Sequence, residues 1–121
     1  MYVEDNKFTR NLIKKSLEHL VKKVYLAEDG IEGLKLYKKV LPNIVLTDMY
    51  MPNMDGLEMS LKIKEIKPQQ VIGMFTANAV EKSNHKAQSL NLNTYIIKPL
   101  DRQQFFNSLA YLGSLALSQS K

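Results

Sequence analysis

The chain contains no cysteine. That absence excludes disulfides, thiolate nucleophiles and zinc–cysteine sites. Histidine is nearly as scarce: His19 and His85 are the only two, too few for a histidine-rich metal site. No apolar run approaches the roughly 20 residues that a membrane span needs. The longest, Leu109 to Leu117, is broken by Gly113 and Ser114. Residues Met1 to Asp5 hold two acids and no apolar leader segment, so the chain reads as cytoplasmic. Internal repeats, linkers and low-complexity segments are missing too. Acidic side chains are in short supply, 12 against 17 basic ones, for a formal charge of +5. Such a balance raises nucleic acid or an acidic surface as a partner.

What is present fits an ordinary globular domain. The 121 residues are 45% hydrophobic and 24% charged, enough for one core and no second. Short apolar runs alternate with amphipathic stretches. Val24 to Ala27, Ile44 to Leu46, Val71 to Phe75 and Tyr95 to Ile97 are nearly continuous and rich in β-branched or aromatic residues. They predict strands buried on both faces, and Met1 to Val3 predicts a very short first strand. Helical spacing relates Phe8, Leu12, Ile13, Leu17, Leu20 and Val21, with Asn6 as N-cap. It recurs over Ile31 to Leu41, Leu57 to Ile66, more weakly over Val80 to Leu90, and over Phe105 to Ala116 behind Asp101. Five βα units in succession imply an α/β fold, a parallel sheet with helices on both faces.

In such a sheet all carboxyl ends lie at one edge, where open α/β folds bind ligands. Glu4 and Asp5 follow the first strand, Asp48 the third, Thr76 the fourth and Lys98 the fifth. Three neighbouring carboxylates repel one another and call for a cation; all-oxygen ligands favour Mg2+, which keeps waters and takes phosphate oxygens. A lysine and a threonine beside it suit phosphoryl oxygens. One carboxylate is then a candidate nucleophile, and Asp48, ending a central apolar strand, is the best placed. Pro99 after Lys98 cannot continue a ladder, so it marks a turn, with a cis or a trans bond.

These residues, in order and at this spacing, resemble the receiver domain of bacterial two-component response regulators, the CheY-like fold. The motifs are Val3-Glu4-Asp5-Asn6, Ala27-Glu28-Asp29-Gly30, Thr47 to Gly56, Phe75 to Ala79, and Tyr95-Ile96-Ile97-Lys98-Pro99. The resemblance covers essentially the whole chain, residues 1–121, as one receiver domain without an output domain. It implies a flavodoxin-like three-layer sandwich with strand order 2-1-3-4-5 and five helices. It also implies roles: Asp48 as phosphate acceptor, Asp5 as direct Mg2+ ligand, Glu4 holding the metal through water, and Tyr50 lending its backbone carbonyl. Thr76 and Lys98 would meet the phosphoryl group. Tyr95 would be the aromatic switch, turning inward once Thr76 moves and reshaping the face of the fourth helix, fifth strand and fifth helix. The donor would be a sensor histidine kinase or a histidine phosphotransfer protein. The listener would be a downstream effector or an attached domain. The receiver is a signalling phospho-acceptor rather than an enzyme, although it catalyses its own phosphotransfer and dephosphorylation.

Some positions depart from the family pattern. Three residues precede the acid pair where four or more are usual, which suggests a trimmed start. Asn91 replaces a glycine before the last strand; asparagine also tolerates a left-handed C-cap. The fourth helix has few anchors and is expected to be the most mobile, with His85 solvated on it. The last helix carries a second apolar stripe, Phe106, Ala110, Gly113 and Leu117, which reads either as a homodimer or partner contact or as a wide core-facing arc. Two alternatives are weaker. An aspartyl phosphatase would want a carboxylate where Tyr50 stands, and a flavin module would want a phosphate loop where Asn6 to Arg10 stand. The excess charge falls on helix exteriors, at Lys14, Lys15, Lys22, Lys23, Lys35, Lys38 and Lys39, so nucleic acid is not expected to bind this domain.

Overall fold

Residues two apart in an extended strand point to the same face of a sheet, and neighbours point to opposite faces. The apolar runs of this chain exploit that alternation on both sides. In the computed structural model, which describes residues 1–76, 92–97 and 101–119, Tyr2, Leu46, Val71, Phe75 and Ile96 face one side. There they pack with Ile13, Leu17, Phe105, Leu109 and Leu112. Val3, Val45 and Ile72 face the other, against Tyr37, Met59 and Ile63.

The elements follow the expected alternation: β1 (Tyr2–Val3), α1 (Lys7–Glu18), β2 (Leu26–Ala27), α2 (Gly30–Val40), β3 (Ile44–Asp48), α3 (Gly56–Ile66), β4 (Val71–Thr76), β5 (Thr94–Ile97) and α4 (Arg102–Gln119). All pairings are parallel, in the order β2-β1-β3-β4-β5. Helices α1 and α4 cover one face, α2 and α3 the other. Four helices stand among the described residues. The helix expected over Val80 to Leu90, with His85 and Asn91, lies outside them. No helix among the described residues is long and apolar enough to cross a membrane.

Local chemistry sets the helix starts. Asn6 Oδ1 accepts from the Thr9 N–H at 2.9 Å, Asp29 from Glu32, Asp55 from Glu58 and Asp101 from Gln104, each satisfying an amide the helix leaves open. Two expectations need correction. β2 forms over two residues rather than four, because β1 beside it offers only two ladder positions. On α1, Phe8 (77% exposed) and Leu12 face solvent, as does Leu20 just beyond its end. The buried stripe is Arg10, Ile13 and Leu17, one helical face by spacing. Phe8 and Leu12 fall on nearly the opposite side. On α4, Phe106, Ala110 and Leu117 of the second stripe are exposed and Gly113 is half-buried, while Leu115 and Ala116 pack against the core beside Phe105, Leu109 and Leu112.

The Met1 nitrogen donates to the Ile44 carbonyl at 2.7 Å, beside a cavity of about 450 Å3 between Tyr25, Leu17 and Leu109.

Candidate functional site

Parallel pairing aligns the carboxyl ends of β1 and β3. Val3 is level with Thr47, so Glu4 and Asp48 emerge side by side although 44 residues apart. Oxygens of Glu4, Asp5 and Asp48 lie within 4.8 Å of one another. Their exposures differ: Glu4 is 2% exposed, Asp48 half-buried and Asp5 open to solvent. A buried carboxylate must be hydrogen-bonded. Glu4 Oε1 accepts from the Tyr2 hydroxyl at 3.3 Å and Oε2 from the Asn6 N–H at 3.2 Å. Burial, then the charges of Glu4 and Asp48, push the Tyr2 phenol far up, so it stays a donor.

Behind the acid pair sits Arg10. Its Nη1 donates to the Glu4 carbonyl at 2.8 Å and, longer, to the Asp5 carbonyl at 3.5 Å. Its Nη2 reaches Glu28 Oε1 at 3.5 Å. Neither Arg10 nor Tyr2 was among the residues that the sequence singled out for this site. A signal for Arg10 exists: an arginine in register with Ile13 and Leu17 is a charge on a core stripe, and such a charge requires a partner.

Asp48 is anchored by the loop that follows it. The Thr47 hydroxyl donates to the Asp48 carbonyl at 2.9 Å, and the Gly56 N–H donates to the Met49 carbonyl at 2.8 Å. Gly56 lies so near the Asp48 carbonyl that a Cβ there would collide with backbone. The middle of the loop is clamped to α2. The Gly30 N–H donates to the Met54 carbonyl at 3.0 Å. The Asn53 amide donates to Asp29 at 2.8 Å, from a residue at φ 70. The Glu32 N–H and the Asn53 amide hold the Asp29 carboxyl below the usual carboxylate range. Tyr50 lies between these anchors with its ring half-exposed.

Thr76 ends β4 and is buried; the residue before it, Phe75, is level with Asp48. Tyr95 on β5 is level with Met74 and packs, half-buried, on Met49, Leu57 and Met74; burial pushes its phenol up. Edge alignment therefore brings Glu4, Asp5 and Asp48 together and places Thr76 one strand away. Lys98 and Pro99 lie outside the described residues. The three clustered oxygens are hard donors with one solvent-facing side, a set that fits Mg2+ retaining water. The cavity near Met1 is at the opposite sheet edge and has no carboxylate in its lining.

Comparison with known proteins agrees with this geometry. The sequence pattern of the response regulator receiver domain matches residues 1–110. The chain is 32% identical over 110 residues to chemotaxis protein CheY of Halobacterium salinarum, covering 91% of this chain and 92% of that protein. It is 31% identical over 116 residues to sensor protein EvgS of Escherichia coli, covering 96% of this chain but 10% of that protein. The receiver domain of sensor histidine kinase PA1611 from Pseudomonas aeruginosa superposes with a TM-score of 0.81 at 26% identity, over 93% of this chain and 94% of that one. That structure has a magnesium ion coordinated in its active-site cleft.

The loop anchor makes a prediction. A methyl group at Gly56 must move the Asp48 carbonyl, so Gly56→Ala should cost about 1–3 kcal/mol by urea unfolding, the usual range for overpacking. It should also weaken Mg2+ binding measured by calorimetry. A neutral effect on both would show the loop to be compliant.

Proposed function

The chain belongs to the response regulator receiver domain family, and from that premise we propose that its phospho-acceptor is Asp48. The single observation that carries this is the carboxylate at the end of β3 held within 4.8 Å of two others. Asp48 Oδ attacks the phosphorus of a phosphohistidine on a sensor kinase or phosphotransfer protein. The P–N bond breaks, an acyl phosphate forms, and the imidazole leaves with a proton. A Mg2+ ion held there would supply neutralisation of charge on the phosphoryl oxygens. Glu4 and Asp5 would hold it, with Asp48 and the Tyr50 carbonyl. Lys98, the residue after β5, would pair with a phosphoryl oxygen, and the Thr76 hydroxyl would donate to another. Water attack on the same phosphorus later returns the carboxylate. One receiver domain over residues 1–121 is sufficient for all of these steps.

Phosphorylation adds about −1.5 to −2 of charge and three acceptor oxygens. Drawing Thr76 toward them vacates buried space at the end of β4. Tyr95 stands on the adjacent strand, half-buried, its ring on the Met49, Leu57 and Met74 cluster, and turns into that space. Two discrete packings make a switch that an effector or attached domain can read. The family includes a protein of nearly this length and others about ten times longer, so both a free-standing and an attached receiver are compatible with it. On α1, exposed Phe8 and Leu12 beside Lys15 offer an apolar surface with a basic rim, suited to an acidic kinase or phosphotransfer partner.

Incubation with acetyl phosphate and Mg2+ should label the protein, and Asp48→Asn or EDTA should abolish the label. Label surviving in Asp48→Asn moves the acceptor elsewhere. Phosphotransfer from a kinase should slow as salt rises, since exposed charges are screened beyond about 10 Å at 0.1 M. Salt-independent rates would leave the lysines as plain solvated surface.

A further inference from the structure

We propose that Arg10 is a positioning residue for the divalent cation: it sets the spacing of the Glu4 and Asp5 carboxylates by holding their main chain from behind. The proposal rests on the receiver reading and adds to it a residue from the helix rather than from the acidic edge.

A solvent-facing arginine is the ordinary fate of that residue type; this one is 8% exposed, on the core stripe of α1. Its guanidinium makes its short contact, 2.8 Å, to the carbonyl of Glu4, and a longer one, 3.5 Å, to that of Asp5. Both acceptors are backbone atoms of the acid pair, not their carboxylates. The contact to Glu28 is long, and that side chain is 67% exposed, so it adds little. Two adjacent peptide groups that carry the metal-facing carboxylates are therefore tied to one nitrogen, Nη1, of a planar, rigid guanidinium. Tyr2 and the Asn6 N–H fix the Glu4 carboxylate itself. Arg10 fixes the peptide groups from which both carboxylates project.

Electrostatics and positioning predict opposite signs here. Arg10 is a cation close to a cation site, so deleting its charge alone would tighten metal binding. Deleting its fork frees the two peptides and loosens ligand spacing, which weakens binding. Positioning also has a signature in selectivity. Mg2+ demands near-ideal octahedral geometry, whereas Ca2+ tolerates irregular shells. Loss of the fork should therefore penalise Mg2+ more than Ca2+. A purely architectural role for Arg10 would lower stability and leave that ratio unchanged.

The test is calorimetric titration of the full chain with MgCl2 and separately with CaCl2, for the wild type, Arg10→Met and Arg10→Lys, with thermal midpoints in EDTA as a check of folding. Arg10→Met should bind Mg2+ about 10-fold more weakly, the lower end for residues that orient metal ligands, with a smaller loss for Ca2+. Arg10→Lys keeps the repelling charge but not the fork, so it should bind Mg2+ at least as weakly as Arg10→Met. Unchanged or tighter Mg2+ binding by Arg10→Met overturns the proposal, and so does an equal loss for both ions. If Arg10→Met does not fold, Arg10→Lys decides by the same criteria. Wild-type protein that binds no Mg2+ overturns the receiver reading itself; wild-type binding with unaffected variants overturns only the role of Arg10.

Discussion

Mutual repulsion among Glu4, Asp5 and Asp48 is the constraint around which this structure is arranged. Two unit charges 4.8 Å apart, at an effective dielectric near 20, repel by about 3.5 kcal/mol, less where solvent screens Asp5. The fold offsets that cost with fixed dipoles and one buried cation. The Tyr2 hydroxyl and the Asn6 amide satisfy the buried Glu4 carboxylate, and Arg10 lies against the carbonyls of the pair. A divalent cation would remove the remaining repulsion.

The site is held firmly on its β1 and β3 side. β1, β3 and the loop after β3 are held by the Asp48–Gly56 approach, the Asn53–Asp29 bond and the Gly30–Met54 bond. β3 and β4 are buried on both faces by two separate cores. Toward β5 the packing changes character. Thr76 is buried, but Tyr95 is only half-buried, on flexible methionine side chains.

Legibility in the sequence followed the range of the interactions. Caps at Asn6 and Asp101 were readable because a cap is made within three residues. β3 and β4 were readable because a strand buried on both faces is apolar throughout. β2 was read too long, since its extent depends on how much of β1 lies beside it. On α1, six apolar positions looked like one face, yet Phe8 and Leu12 point away from the sheet and Arg10 points in. Hydrophobicity alone does not distinguish two apolar stripes; the docking angle of the helix does. The identities of Glu4, Asp5 and Asp48 were plain from strand ends, whereas Tyr2 and Arg10 looked like a strand aromatic and a surface base.

The sequence by itself determined the alternation of strands and helices, the acids at strand ends and the family to which the chain belongs. Each is a local pattern or a set of local motifs in fixed order. Only the tertiary structure decided that Glu4 and Asp48, far apart in the chain, share a space less than 5 Å across. It alone showed that Arg10 is buried behind them and that Gly56 must be bare for the Asp48 carbonyl to pass. The reason is physical. Parallel register and helix rotation are set by the whole core at once, and no single segment contains that information.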